Sequence, residues 1–222
     1  MIDIAHEDVN NVTSILSAEF GMGNLEASAF AGQIIDSAKA LGISNEEAAK
    51  LSGILQQTAF LSKEQAEQLA EGTNQLANIN NVDAAETVRD LAGAAEQFAL
   101  FSKDGGDNIA RAAVQARAFG LSIQETAKIS EGLLNFQDSI SKEIEASVLI
   151  GRQLNLQKAR ELALSNDIEG AMREVVKQVG TEQEFNKLNS IQRKALADSI
   201  GVSVADMAKL VANQNRLNVA AG

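Results

Sequence analysis

A chain of 222 residues without a single proline lacks the commonest device for stopping a helix or fixing a turn. At average usage about eleven prolines would be present. Chain reversals must then be made by residues that tolerate a left-handed backbone, glycine above all, and by side chains that cap helix starts. Cys, Trp and Tyr are absent as well, and eight Phe are the only aromatics. Lack of Cys removes disulfides, thiol nucleophiles and cysteine-based zinc or iron–sulfur sites. The single His, His6 near the start, leaves no Ser-His-Asp triad and no two-histidine zinc motif. Accordingly no catalytic residue, cofactor site or metal site is assigned.

Ala and Leu lead the composition, and no Val/Ile/Thr run alternates with period two. The fold expected is all-α, an array of short antiparallel helix hairpins with about 11–13 helices and no sheet. Capping chemistry and glycines place helices near 7–20, 25–41, 45–60, 63–78, 84–102, 107–119, 123–137, 140–152, 156–165, 167–179, 182–188, 191–200 and 204–213. Asp83 to Glu86 and Thr181 to Glu184 have capping-box spacing, and Ser62 and Asn155 are simple N-cap candidates. Apolar stripes such as Ala48, Leu51, Leu55 and Ala59 are Ala-rich and narrow. Small side chains bury little area each, which points to help from partner chains. Phe98, Phe101, Phe119 and Phe136 are expected to anchor the core.

Charge divides the chain. Residues 1–110 hold five basic and seventeen acidic residues, net -12, and residues 111–222 hold fourteen and thirteen, net +1. The organisation that follows is an acidic Ala-rich helical region over 1–103, a hinge over 104–107 at the glycine pair Gly105 and Gly106, a helical domain over 107–213, and a tail over 214–222. An acidic chain with no basic run is repelled by phosphate backbones, so no nucleic-acid specificity is expected. Nothing approaches the ~20 apolar residues of a membrane span, and no transmembrane segment or signal peptide is expected.

One pattern recurs three times. Ala38 to Leu51, Ala116 to Ile129 and Ala197 to Leu210 each end a helix with glycine, turn over one apolar residue, and start again with serine and an acid three residues on. The corner residues are Gly42, Ser44 and Glu47; Gly120, Ser122 and Glu125; and Gly201, Ser203 and Asp206, at spacings of 78 and 81. The first two copies are followed by Ser-Lys-Glu at 62–64 and 141–143. Many DNA-binding helix-turn-helix corners are built this way. A recognition helix needs several outward basic or amide side chains, whereas 45–56 offers one Lys against two Glu. The corner is therefore read as structural: glycine supplies the left-handed stop and serine the cap.

Other constellations are weaker. Glu143 and Glu145, or Glu182 and Glu184, lie on different helix faces and form no acid/base pair. Asp104 to Asn108 lacks the ligand spacing and terminal Glu of a calcium loop. Gly21-Met22-Gly23 is too short for a phosphate loop.

From Asn81 onward an ordered set of motifs carries a family resemblance. It runs through Val82-Asp-Ala-Ala-Glu86, Phe98-Ala-Leu-Phe-Ser-Lys-Asp-Gly-Gly106, Leu133-Leu-Asn-Phe136, Ser141 to Gly151, Leu154 to Leu164, Gln178-Val-Gly180, Glu184 to Asn189 and Gln192 to Ala197. Taken together, residues 80–213 resemble a region of the tail tape measure proteins, or tape-measure-like structural proteins, of marine contractile-tailed bacteriophages. The resemblance implies a non-enzymatic virion component, assembled in the host cytoplasm, that takes part in tail assembly and length determination. Its partners would be other tail or baseplate proteins and copies of itself. One rod of 222 residues would reach only about 330 Å, so a domain or fragment in contact with the baseplate hub is the form expected. Two alternatives rest on composition alone: an exported self-assembling subunit of a flagellar or secretion apparatus, and a cytoplasmic helical adaptor binding partner helices in an Ala/Leu groove.

Overall fold

The computed structural model describes residues 6–220, with side chains described through 214. Among them there are fourteen α-helices, one 3-10 turn and no strand. The expected all-α class is what the chain adopts.

The chain divides into two compact units, 1–114 and 115–222. The first contains α1 (His6–Ala18), α2 (Asn24–Leu41), α3 (Asn45–Thr58), α4 (Lys63–Ile79), α5 (Ala84–Ala92) and α6 (Ala95–Phe101), then a 3-10 turn at Asp104–Gly106. The next helix, α7 (Asp107–Ala118), carries the boundary between the units. The second unit continues with α8 (Ile123–Leu134), α9 (Phe136–Ile150), α10 (Gln157–Leu164), α11 (Ile168–Val179), α12 (Glu182–Lys187), α13 (Ser190–Ser199) and α14 (Val204–Ala220).

Two boundaries differ from the sequence expectation for local reasons. The span 84–102 is two helices, because the chain breaks at Gly93-Ala94, where glycine weakens the helix. Asn135 ends α8 and precedes α9 directly, so the second Ser-Lys-Glu lies inside α9 while the first caps α4. Those two tripeptides are therefore not equivalent. Asn155 does not occupy the N-cap itself, which is Leu156; its Oδ1 accepts from the Gln157 N–H at 3.1 Å from one position earlier.

Each unit has its own core. In the first, Leu16, Ile35, Leu51, Leu55, Leu91, Phe98 and Ile109 are essentially inaccessible. In the second, Leu121, Ile129, Leu133, Leu156, Met172, Val175 and Leu210 meet in one apolar cluster. The alanine stripes let helices approach closely while these larger side chains fill the space between them. Such burial is worth roughly 1.5–3 kcal/mol per large aliphatic side chain, so the units are better filled than narrow stripes suggest. Phe98, Phe101 and Phe119 are buried as expected. Phe136 is not: it is 45 % exposed on α9, whose core-facing residues are Ser139 and Ala146.

In the first unit α1 to α5 pack in succession, and α3 also meets α1, α5 and α6. In the second unit α8 lies against both α10 and α11, and α9 against α13, the pairing most distant in sequence of these. Gln192 at the start of α13 donates from Nε2 to the Leu149 carbonyl at 2.8 Å, tying it to the end of α9.

Candidate functional site

The three corners foreseen from the sequence are built alike. Gly42, Gly120 and Gly201 have φ of 70°, 77° and 75°, the left-handed conformation that ends a helix. The next amide reaches back to a buried alanine carbonyl: Ile43 to Ala38 at 3.1 Å, Leu121 to Ala116 at 2.9 Å and Val202 to Ala197 at 3.1 Å. Ser44 accepts from the Glu47 N–H at 3.1 Å while Glu47 accepts from the Ser44 N–H at 2.8 Å. Ser122 and Glu125 repeat this box at 3.1 and 2.7 Å. At the third corner Asp206, one methylene shorter, donates its N–H to Ser203 Oγ at 3.1 Å and accepts from that hydroxyl at 2.6 Å.

A fourth corner escaped sequence inspection. Asn81 has φ 55°, the Val82 amide bonds the Ala77 carbonyl at 3.0 Å, and Asp83 accepts from the Glu86 N–H at 2.9 Å. It is the same device with Asn in place of Gly and Asp in place of Ser, both permitted by the physics. It falls halfway between the first two copies, so the spacing of 78 residues is two periods of 39. The alternate corners obey the same period. Gly21 and Phe60 stand 39 apart, both left-handed, and the following amides, Met22 and Leu61, bond Leu16 and Leu55 carbonyls six residues back. The first unit is thus a two-helix repeat of 39 residues, a length typical of helical repeat proteins. The signal was present in the sequence as Ala-x-x-x-(Gly/Asn)-apolar-(Ser/Asp)-x-x-acid-x-x-(Lys/Arg); a search restricted to glycine and serine passes over it.

Within each unit two corners meet, and in the second unit they do so in matching register. A Cβ added at Gly120 would lie 3.7 Å from Lys209 Cβ and 2.6 Å from Asn213 Nδ2. One added at Gly201 would lie 3.7 Å from the Lys128 carbonyl oxygen and 4.0 Å from Gly132 Cα. Lys128 and Gly132 stand eight and twelve residues after Gly120, as Lys209 and Asn213 do after Gly201. Each corner therefore rests on the same two positions of the other's helix, and Asn213 also donates to the Phe119 carbonyl at 3.2 Å. In the first unit the corner at Gly42 meets α5, with Ala85 Cβ 3.6 Å from the ideal Cβ.

One cation joins each pair. Arg89 bonds Glu47 of the first corner at 2.9 Å and also Glu86 of its own. Lys209 occupies the matching position in the second unit, 2.8 Å from Asp206, with Glu125 of the opposite corner adding attraction. The hydrogen bond to Asp206 is the main reason the Lys209 ammonium is held above its usual value. Burial alone would push the Glu47 carboxyl up, but the Ser44 N–H and hydroxyl, with Arg89, outweigh it and hold the group below the ordinary range. The arrangement joins helices.

Phe60 is the exception among the corners. It takes a left-handed conformation, φ 57°, which a bulky residue adopts at a cost of about 1–2 kcal/mol, while the residue is 87 % exposed. Phe60→Gly is therefore expected to raise stability by about 1 kcal/mol, read as a higher urea midpoint; a fall would show that the ring makes a contact of value in the folded chain.

Gly105 and Gly106 lie inside the 3-10 turn. Asn108, buried, closes that turn from both sides, accepting from the Lys103 N–H at 2.9 Å and donating to the Phe101 carbonyl at 2.8 Å. The amide of the calcium-like stretch is thus engaged by backbone. Among the described residues no group of three or more His, Cys, Asp or Glu could hold a metal ion, and no helix is long and apolar enough to cross a membrane. The cleft between α2, α3 and α4 has about 20 Å³ of free volume, room for a single water. It is strapped by Glu67, which accepts from Gln33 at 2.6 Å and Ser37 at 2.9 Å.

The buried ion pair of the second unit was not foreseen. Arg160 on α10 bonds Glu143 on α9 at 2.5 Å and donates to Ser139 Oγ at 3.0 Å, with both charged side chains largely buried. In sequence each belongs to an ordinary charged helix. No family model, no curated protein and no solved structure matches this chain.

Proposed function

We propose that the chain is a non-enzymatic structural component of a phage tail: a folded helical domain of a tape measure protein that acts in tail assembly by contacting the baseplate hub. The observation that carries this reading is the ordered set of motifs over residues 80–213, from Val82-Asp-Ala-Ala-Glu86 to the corner at Gly201. The cores of the two units favour a folded contact domain over a segment of extended rod. Length determination then belongs to other parts of such a protein. Corners locked by hydrogen bonds and ion pairs, without covalent staples, suit a part that must hold its shape in an assembly.

The test is to separate tails from heads in purified particles of the phage that encodes the chain and to look for its peptides by mass spectrometry. Recovery in the tail fraction, together with cross-links to hub proteins, is the expected result. Absence from the particle would overturn the proposal, and location in a flagellar or secretion apparatus would replace it.

A further inference from the structure

The outward side of α9 carries an apolar ridge along most of its length. Phe136, Ile140, Ile144 and Val148 recur every four residues, giving an i±4 ridge about 18 Å long. They are among the exposed large hydrophobics of the chain, Ile144 at 60 % and Val148 at 76 %. The row beside the ridge carries Gln137, Ser141 and the exposed Glu145, so one carboxylate stands at the rim of the apolar strip next to Ile144. Of the other charges on α9, Lys142 pairs with Asp138 at 2.7 Å, and Glu143 is held by Arg160. At one end of the ridge lies a hollow of about 290 Å³ lined by Phe136, Ile140 and Leu164 together with the paired Arg160 and with Glu161, which accepts from Gln157 at 3.1 Å.

A ridge with a hollow at one end and its most exposed knob at the other complements itself. Turned about a two-fold axis through the middle of α9, Ile144 meets Ile140 of the other copy, and Val148 enters the hollow beside Phe136 and Leu164. Each side makes the same contact, which is the condition for a closed dimer. The area agrees. The ridge and Leu164 expose roughly 500 Å² of apolar side chain, at the upper end of what a monomer normally leaves open. This is also about the apolar share, ~65 %, of the ~800 Å² that each partner buries in a standard homodimer interface.

We propose that α9 is a homodimerisation face, on which a second copy of this chain packs antiparallel, α9 against α9, with Val148 seated in the hollow formed by Phe136, Ile140 and Leu164. This stands independently of the tail reading. Sedimentation velocity on the whole chain, over protein concentrations from 1 to ~100 μM, is the test. A monomer–dimer equilibrium is expected. Ile144→Glu and Val148→Glu should each weaken it at least tenfold, and Ile79→Glu, on an exposed apolar residue of α4, should leave it unchanged. Far-UV circular dichroism of the variants should match the parent, since both positions are solvent-facing; should either glutamate variant misfold, Ile144→Ser and Val148→Ser supply the comparison. A parent chain that stays monomeric throughout overturns the proposal. So does a dimer indifferent to the α9 substitutions, which would place the contact on another surface.

Discussion

Replacing Arg160 with Met is expected to destabilise the second unit by about 3–5 kcal/mol, the range for removing one partner of a buried ion pair. The Glu143 carboxylate would be left under α10 without its guanidinium, and the Ser139 hydroxyl without its donor. The stranded charge, more than the lost attraction, sets the size of the effect. Arg160→Met with Glu143→Met should therefore recover most of the loss, because two thioether side chains can fill the site without a charge. Hydrogen exchange in urea at the α9 and α10 amides reads this directly, and it keeps the second unit apart from the first in a chain whose unfolding need not be two-state. If the double variant is no better than the single one, packing of the Arg160 stem dominates and the electrostatic account fails.

Gly106→Ala should cost about 3 kcal/mol in the first unit, from two separate sources. The position has φ 85°, where an L side chain is strained, and its Cβ would lie 2.7 Å from the buried Phe98 ring. Phe98 has no exposed surface, so its ring can give way only by displacing packed neighbours. Gly105→Ala is the control. Its φ is 66°, and the nearest contact is the end of a flexible side chain, Leu61 Cδ2 at 3.3 Å, so about 1 kcal/mol is expected from the backbone alone. Equal losses in the two variants, read from urea midpoints of the first unit, would show that Phe98 moves aside. The pair was read as a hinge because two adjacent glycines are conformationally free. Asn108 and Phe98 are what limit that freedom here, and neither constraint is visible without the fold.

How much of the candidate site was legible follows from the range of its interactions. The corners were readable because each closes within about ten residues: an alanine carbonyl, a left-handed residue, a cap and an acid are all local in sequence. The corner at Asn81 was legible by the same rules, but it needed Asn and Asp to be admitted as equivalents of Gly and Ser. Once it is admitted, the period becomes 39 and not 78. What these corners rest on was not legible. That Gly120 would meet Asn213, and that Arg89 would reach across to Glu47, depends on contacts 42 to 93 residues apart.

The sequence by itself determined the helical class, the positions of most helix ends and the chemistry of the corners, because helix propensity and capping are decided over one or two turns of chain. It also set the absence of covalent staples. Only the tertiary structure decided that α9 lies on α13, that Arg160 and Glu143 share a buried bond, and that Phe136 faces outward. The physical reason lies in α9 itself: it carries apolar residues on more than one side, and local propensity is indifferent to which of them faces the core. Burial of Ser139 and Ala146 against neighbours far away in sequence made that choice, and left the Phe136, Ile140, Ile144 and Val148 ridge in solvent.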